Sequence, residues 1–299
     1  MNELMVTVPA TSANLGPGFD CLGLALDLWN TTTFRLGGDG INVQVKGEGA
    51  GQLPEDTGNL VVQAFTSLYV RHEATMPRDL QIECHNLIPM GSGLGSSTAA
   101  ILTGLIAANF FLGQPLSKLD LLYMTIEIEG HADNAAAALF GGLVLVAADV
   151  FPPIIRSYSL PPLSIVVVVP KFNLPTREAR AVLPEKIDRR DAIFNINRTA
   201  LVVDALREGD RRLLMTAMDD RLHQPYRFPL IPGSQAAVES ANKLGAAAAL
   251  SGAGPSVIAF ANDNAREVAA AMQAAFRDAG IDSRCYHLTP TMQSAHWYG

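Results

Sequence analysis

The sequence predicts a mixed α/β or α+β protein built as two lobes of similar size. Three observations carry that expectation. Strand-like and helix-like segments alternate along the chain. A proline-rich stretch, FPPIIRSYSLPP (151–162), interrupts them near the middle. The 299 residues, 48% of them hydrophobic, are enough to bury one large core or two ordinary ones.

The elements follow in order. LMVTVPA (4–10) and INVQVKG (41–47) alternate apolar and polar residues as half-buried strands do, and LQIECHNLIP (80–89) is a third strand. Between the first two, VPATSANLGPGFDCLGLALDL (8–28) has the pattern of a strand pair joined by a Gly/Pro turn, with Asn14 and Asp20 as turn formers. STAAILTGLIAANFFLG (97–113) is a buried helix, and FGGLVLVAADV (140–150) and LSIVVVVP (163–170) are strands on either side of the proline-rich break. That break is the expected boundary, giving lobes 1–155 and 156–299. Beyond it come helices in TREARAVLP (176–184) and IFNINRTALVVDALREGD (193–210), then a strand, a glycine loop and a strand in GAAAALSGAGPSVIAFA (245–261). AREVAAAMQAAFRDAG (265–280) is a helix closed by glycine.

Composition excludes several function classes. The net charge of −7 offers no bulk attraction to a polyanion, so nucleic acid is not an expected partner. Cys21, Cys84 and Cys285 are odd in number, widely spaced and in no C-x-x-C pattern, which argues against a disulfide framework or a zinc site and for the reducing cytoplasm. No secretory signal is expected from MNELMVTVPA, and the most apolar segment falls short of a membrane span. A homodimer is compatible with the sequence.

The chemistry begins at PMGSGLGSSTAA (89–100). Gly91, Gly93 and Gly95, followed by Ser96, Ser97 and a helix, place free backbone N–H groups and a helix N-terminus together, a ready anion site. Phosphate is the natural guest. The stretch does not match the P-loop pattern G-x-x-x-x-G-K-[ST], and none of the five lysines lies beside it. From Pro89 through Met90, Gly91, Ser92, Gly93, Leu94, Gly95, Ser96, Ser97 and Thr98 to Ala99, it closely resembles the P-x-x-x-G-L-G-S-S-x-A signature of the GHMP kinases. The resemblance implies that these residues wrap the phosphates of ATP, and that a serine hydroxyl, on Ser97 or its neighbour Ser96, reaches Mg²⁺.

Two further stretches narrow the resemblance. PATSANLGPGFDCLGLAL (9–26) is similar, nearly residue for residue, to the N-terminal motif of homoserine kinases, and LSGAGPSVIAF (250–260) resembles the third GHMP motif. On its own the latter is a glycine hairpin; the resemblance implies that it folds under the phosphate loop, with Gly252 by the substrate. Homoserine is a zwitterion with a primary hydroxyl. Its pocket needs an anion for the ammonium, which Asp20 can supply, and arginines for the carboxylate, because a planar guanidinium binds a carboxylate bidentately. The resemblance places the arginines at Arg180 and Arg227 and puts Thr176 near the reacting end, while Arg177 is expected to be a solvated helix residue.

TIEIEGHADNAAAALFGG (125–142) gathers Glu127, Glu129, His131, Asp133 and Asn134 within eight positions. By resemblance Glu127 is the magnesium carboxylate, with Glu129 competing, and His131 and Asn134 line the homoserine pocket. The chain departs from the usual H-x-D-N-V-A-P by carrying Ala135, Ala136 and Ala137, which removes volume and a backbone restraint but no polar partner.

The resemblance therefore implies an α+β fold with an N-terminal lobe like ribosomal protein S5 domain 2 and a C-terminal ferredoxin-like lobe. It implies ATP-dependent phosphorylation of L-homoserine, a step of threonine biosynthesis, with the hydroxyl held near Asn14, Asn134 and Thr176. The rivals are another GHMP small-molecule kinase and a non-catalytic nucleotide-binding protein of the same fold.

Overall fold

The computed structural model describes residues 2–299. Its first half is organised by two long strands, β1 (Glu3–Ala13) and β2 (Leu22–Leu36). β1 opens with the alternation its sequence predicts, Leu4, Val6 and Val8 inward and Glu3 and Met5 outward. The β1/β2 register shifts between Pro9 and Ala10; Pro9 has no N–H to give to a ladder. β3 (Ile41–Gly47) and β4 (Leu80–Asn86) pair in parallel, which requires a crossover, and α1 (Leu60–Arg71) supplies it. The chain then enters α2 (Ser96–Phe111), buried nearly all round, as its largely apolar sequence without a charged residue requires. α1 and α2 touch at Gly104, where a β-carbon would lie 2.2 Å from the Val61 carbonyl oxygen. Only glycine permits that approach.

α3 (Lys118–Glu129), started by a Ser117/Asp120 capping box, leads to α4 (Asp133–Phe140) and the hairpin of β5 (Leu143–Ala147) and β6 (Ile154–Tyr158). β5 pairs with β2, so β6 belongs to the first sheet. The 155/156 boundary expected at the proline-rich break falls inside β6. The alanines at 135–137 are fully buried, and α4 lies so close on β2 that a β-carbon on Gly23 would meet the Asp133 carbonyl oxygen at 2.3 Å. Small side chains thus bring the Asp133–Asn134 turn onto the strand.

The second sheet holds β7 (Ser164–Pro170), β8 (Ala247–Leu250), β9 (Val257–Ala261) and β10 (Ser283–Leu288) in the antiparallel order β10-β7-β9-β8. This is the strand order of a ferredoxin-like sandwich, as the sequence led us to expect. β7 reads SIVVVVP because both its faces are covered. Ile165, Val167 and Val169 join the core shared with the first lobe, while Val166 and Val168 pack with α9 (Ser234–Lys243) and α10 (Ala265–Asp278). Between β7 and α9 run α5 (Thr176–Ala181), α6 (Arg189–Glu208), α7 (Arg211–Ala217) and the short α8 (Gln224–Arg227). The last strand, β11 (His296–Tyr298), returns to the first sheet beside β1. Among the described residues, no helix is long and apolar enough to cross a membrane.

Candidate active site

The end of β1, the glycine loop before α2 and the β8–β9 loop converge at one point. Gly252 N–H donates to Ala13 O at 3.0 Å, Ser256 N–H to Ser92 O at 3.2 Å, and the Ser251 hydroxyl to Gly93 O at 2.7 Å. The β8–β9 segment is therefore both a hairpin and the floor of the glycine loop. Gly91, Gly93 and Gly95 all have positive φ, and a β-carbon on Gly93 would lie 2.2 Å from Ser251 O. This bare backbone is what the close stacking of two loops demands.

Above this floor lies a cavity of ≈ 630 Å³. Of the glycine stretch, Gly91, Ser92, Gly93, Gly95, Ser96, Ser97 and Thr98 line it. Pro89 and Leu94 do not, and Ala99 is buried in the core beneath. Met90 opens instead onto an adjoining cavity of ≈ 220 Å³, which shares Leu60, Ser96 and Ser97 with the first and is walled by Leu53, Ile88 and the amides of Asn30, Asn59 and Asn86. The sequence reading missed this neighbour. Its parts come from five segments, and only the one holding Met90, Ser96 and Ser97 belongs to a motif.

Asn14, Asp20, His131, Asn134, Thr176, Arg180, Arg227 and Gly252 all line the main cavity. Their bonding refines their roles. The Asn14 amide is committed to the protein: Oδ1 accepts from Asp20 N–H at 3.0 Å and Nδ2 donates to Gly252 O at 2.8 Å. Asn14 and Asp20 themselves sit at φ 70 and 57, so this loop is wound tightly around its own amide. Asn134 Oδ1 accepts from the Thr11 hydroxyl at 2.8 Å. Arg177 lines the cavity too, as an exposed residue of α5, the solvated helix position expected of it.

Asp20 and Arg180, expected to take opposite ends of a zwitterion, here pair with each other through two hydrogen bonds of 2.6 and 2.9 Å. That bond holds the Arg180 guanidinium proton more firmly than usual. Arg227 is 1% exposed and donates to Ala179 O at 3.0 Å and Gly252 O at 3.2 Å. Burial, with Arg180 nearby, pulls its pKa down to about 10, which leaves it a cation at neutral pH. Cys21, between Asp133 and Asp20, is pushed up to about 11, mainly by burial, so it stays an inert thiol.

Glu127, expected as the magnesium carboxylate, faces away from the cavity, and its competitor Glu129 faces in. Glu127 pairs with Arg71 on α1 and does not line the cavity. Glu129 does, with its Oε2 accepting from the Thr98 hydroxyl at 2.6 Å. Two residues along a helix turn a side chain by about 200°, so only one of the pair can face inward. The readable signal is the four-residue spacing of Leu121, Thr125 and Glu129, one buried stripe of α3. Burial raises the Glu129 carboxyl above its usual range, against the opposing pull of Thr98 and His131. Burial pulls the other way on His131, but Asp133, 3.3 Å from Nδ1, and Glu129 together raise its pKa.

A two-lobe α+β fold with a glycine-serine loop opening a buried helix, floored by a second glycine loop, defines a small-molecule kinase of the GHMP class. The models of the GHMP kinases N terminal domain and GHMP kinases C terminal match residues 59–142 and 202–278. The chain is 42% identical over 293 residues to the homoserine kinase of Moorella thermoacetica, covering 97% of this chain and 98% of that one. It is 43% identical over 302 residues to the homoserine kinase of Microchaete diplosiphon, covering 99% and 97%. The crystal structure of homoserine kinase from Cytophaga hutchinsonii superposes with a TM-score of 0.85 at 31% identity, covering 100% of this chain and 98% of that chain. The chain belongs to the homoserine kinases of the GHMP family.

Proposed function

We propose that this protein transfers the γ-phosphoryl group of ATP to the side-chain hydroxyl of L-homoserine, giving ADP and O-phospho-L-homoserine. The observation that carries this reading is the placement of Asp20, Arg180 and Arg227 in one cavity with the glycine loop. An amino-acid zwitterion replaces the Asp20–Arg180 pair with two pairs, its ammonium on Asp20 and its carboxylate on Arg180 and Arg227, so neither charge is left bare.

Phosphoryl transfer asks mainly for positioning and charge neutralisation. The loop amides from Gly91 to Ser97 and the start of α2 receive the phosphates, and the adjoining cavity, apolar with three amides on its wall, suits the nucleoside. Asn134 and Thr176 hold the acceptor hydroxyl, while Asn14 keeps the substrate loop in shape. The hydroxyl oxygen bonds to the γ-phosphorus as the bond to the β–γ bridging oxygen breaks. The hydroxyl proton passes to the transferred phosphoryl oxygens.

Ser97 and Glu129 fit Mg²⁺, a hard cation that takes oxygen ligands and needs only one or two carboxylates when phosphates supply the rest. A carboxylate penalised by burial, as Glu129 is, gains from a neighbouring cation. Bound there, Mg²⁺ would neutralise the β- and γ-phosphate oxygens.

The test is ADP release by the purified protein with Mg-ATP and L-homoserine, L-threonine, L-serine or mevalonate supplied one at a time. Turnover dependent on homoserine is expected; turnover with another acceptor instead, or with none, overturns the reading.

A further inference from the structure

Behind Arg227 lies an imidazole that has no part in the chemistry above. His223 is fully buried at the entry to α8. Its Nε2 lies 2.7 Å from Gly16 O, and its Nδ1 lies 3.0 Å from Arg227 Nη1. Each partner permits one role only. A guanidinium has donors and no acceptor, so Nδ1 must accept; a carbonyl accepts, so Nε2 must carry the hydrogen. Together they select the neutral Nε2–H tautomer.

The surroundings hold that tautomer. Burial lowers the His223 pKa; among the charges that face it, Asp220 and Asp20 oppose that effect and Arg227 adds to it. Asp220 Oδ2 lies 3.4 Å from Nε2, but the Asp220 carboxylate already accepts from the Asn195 amide and from the backbone N–H groups of Leu222, His223 and Gln224. Phe19, from the substrate loop, stacks on the ring at 5.3 Å, and the guanidinium carbons of Arg180 and Arg227 lie 5.5 and 5.4 Å from the Phe19 ring centre.

We propose that His223 is a positioning residue for the amino-acid end of the substrate: Nδ1 holds one nitrogen of Arg227 and thereby aims the guanidinium at the carboxylate, while Nε2–H anchors the turn at Gly16 that carries Asn14 and Asp20. One buried ring thus sets the spacing between the two charges that must meet a zwitterion. This rests on the homoserine reading of the site.

The amide analogues separate the two halves of the role. In His223→Asn, Oδ1 can stand in for Nδ1 toward Arg227 but does not reach Gly16. His223→Gln supplies an amide at the Nε2 end and gives up the acceptor beside Arg227. KM for homoserine, KM for ATP, kcat and Tm are measured for the parent, both amide variants and His223→Ala. The expected result is a rise in homoserine KM of at least about 10-fold in His223→Ala, the loss of one charge-assisted contact, with ATP KM within about twofold. His223→Asn should recover a larger part of that loss than His223→Gln, whatever their order in Tm.

A homoserine KM unchanged in His223→Ala, an ATP KM that rises in parallel, or no advantage of Asn over Gln overturns the proposal. If His223→Ala does not fold, the comparison of Asn with Gln decides by the same rule. A parent that does not turn over homoserine overturns the substrate reading and this proposal with it, whereas an active parent leaves the outcome to His223 alone.

Discussion

Asp20 and Glu129 show how a single side chain acquires its role from what it touches. Asp20 is bonded to Arg180, so removing its charge strips the ammonium site proposed above and leaves Arg180 without its partner. Asp20→Asn is expected to raise KM for homoserine by about 10- to 100-fold, the size of a lost charge-assisted hydrogen bond, with kcat at saturation and KM for ATP nearly unchanged. A collapse of kcat at saturating homoserine would instead make Asp20 part of the chemical step. Glu129 and Glu127 form an internal control. Glu129→Gln should cut Mg²⁺-dependent turnover at least about 100-fold, a loss typical of removing charge stabilisation at the transferring group. Its Tm should hold or rise, because a desolvated carboxylate has been neutralised. Glu127→Gln removes a half-exposed ion pair with Arg71 and should leave kinetics and stability within error. Steady-state rates and thermal melts of the two variants decide the assignment.

Among the elements, the glycine loop and the β8–β9 loop behave as one unit because their backbones touch. Gly93 has φ 78, and its missing β-carbon leaves the room that Ser251 O occupies. Gly93→Ala adds left-handed strain of about 1–3 kcal/mol and pushes the two loops apart. The expected outcome is a Tm lower by several degrees and a large loss of affinity for an unhydrolysable ATP analogue, read by calorimetry with no acceptor present. An unchanged affinity would mean that the phosphates do not sit on this loop. α4 follows the same logic in the opposite direction. Its buried alanines let the helix settle on β2, so the Val and Pro usual in the motif are replaced by proximity of backbones rather than by a gap.

Across the whole molecule, the buried neutral His223 ties stability to pH. Its pKa is lowered on folding from an ordinary value of 6.5, so the unfolded chain binds a proton that the native state refuses. The contribution is complete above pH 6.5 and is lost as pH falls below it. Melts of the parent should therefore decline on acidification from neutrality, and His223→Asn should show a shallower decline over the same range. Equal slopes would mean that groups other than His223 account for all of the acid sensitivity; His131 is not one of them, because its raised pKa favours the fold as pH falls. At this scale the lobes are also joined by covalent return and by packing: β11 rejoins the first sheet, and one face of the second sheet belongs to the core of the first lobe. Arg284 and Glu48 add a bidentate pair between them at 2.5 and 3.1 Å, half exposed and correspondingly weak.

What the amino-acid sequence determined by itself is everything that local chain chemistry encodes. Alternation in LMVTVPA, the apolar run of α2 and the glycines before it need only neighbouring residues to be read, whereas the floor loop and the lining residues Thr176, Arg180, Arg227, His131 and Asn134 follow from the resemblance to homoserine kinases. The tertiary structure decided the matters of facing and distance. Glu129 rather than Glu127 lies inward because α3 packs with one particular stripe buried. Asp20 meets Arg180 across 160 residues, and His223 reaches Gly16 across 207. β6 hid within a proline-rich break whose prolines flank it and leave its ladder intact. The physical reason is common to all four. A side chain's partner is set by burial and by long-range chain closure, and neither is recorded in the spacing of residues along the chain.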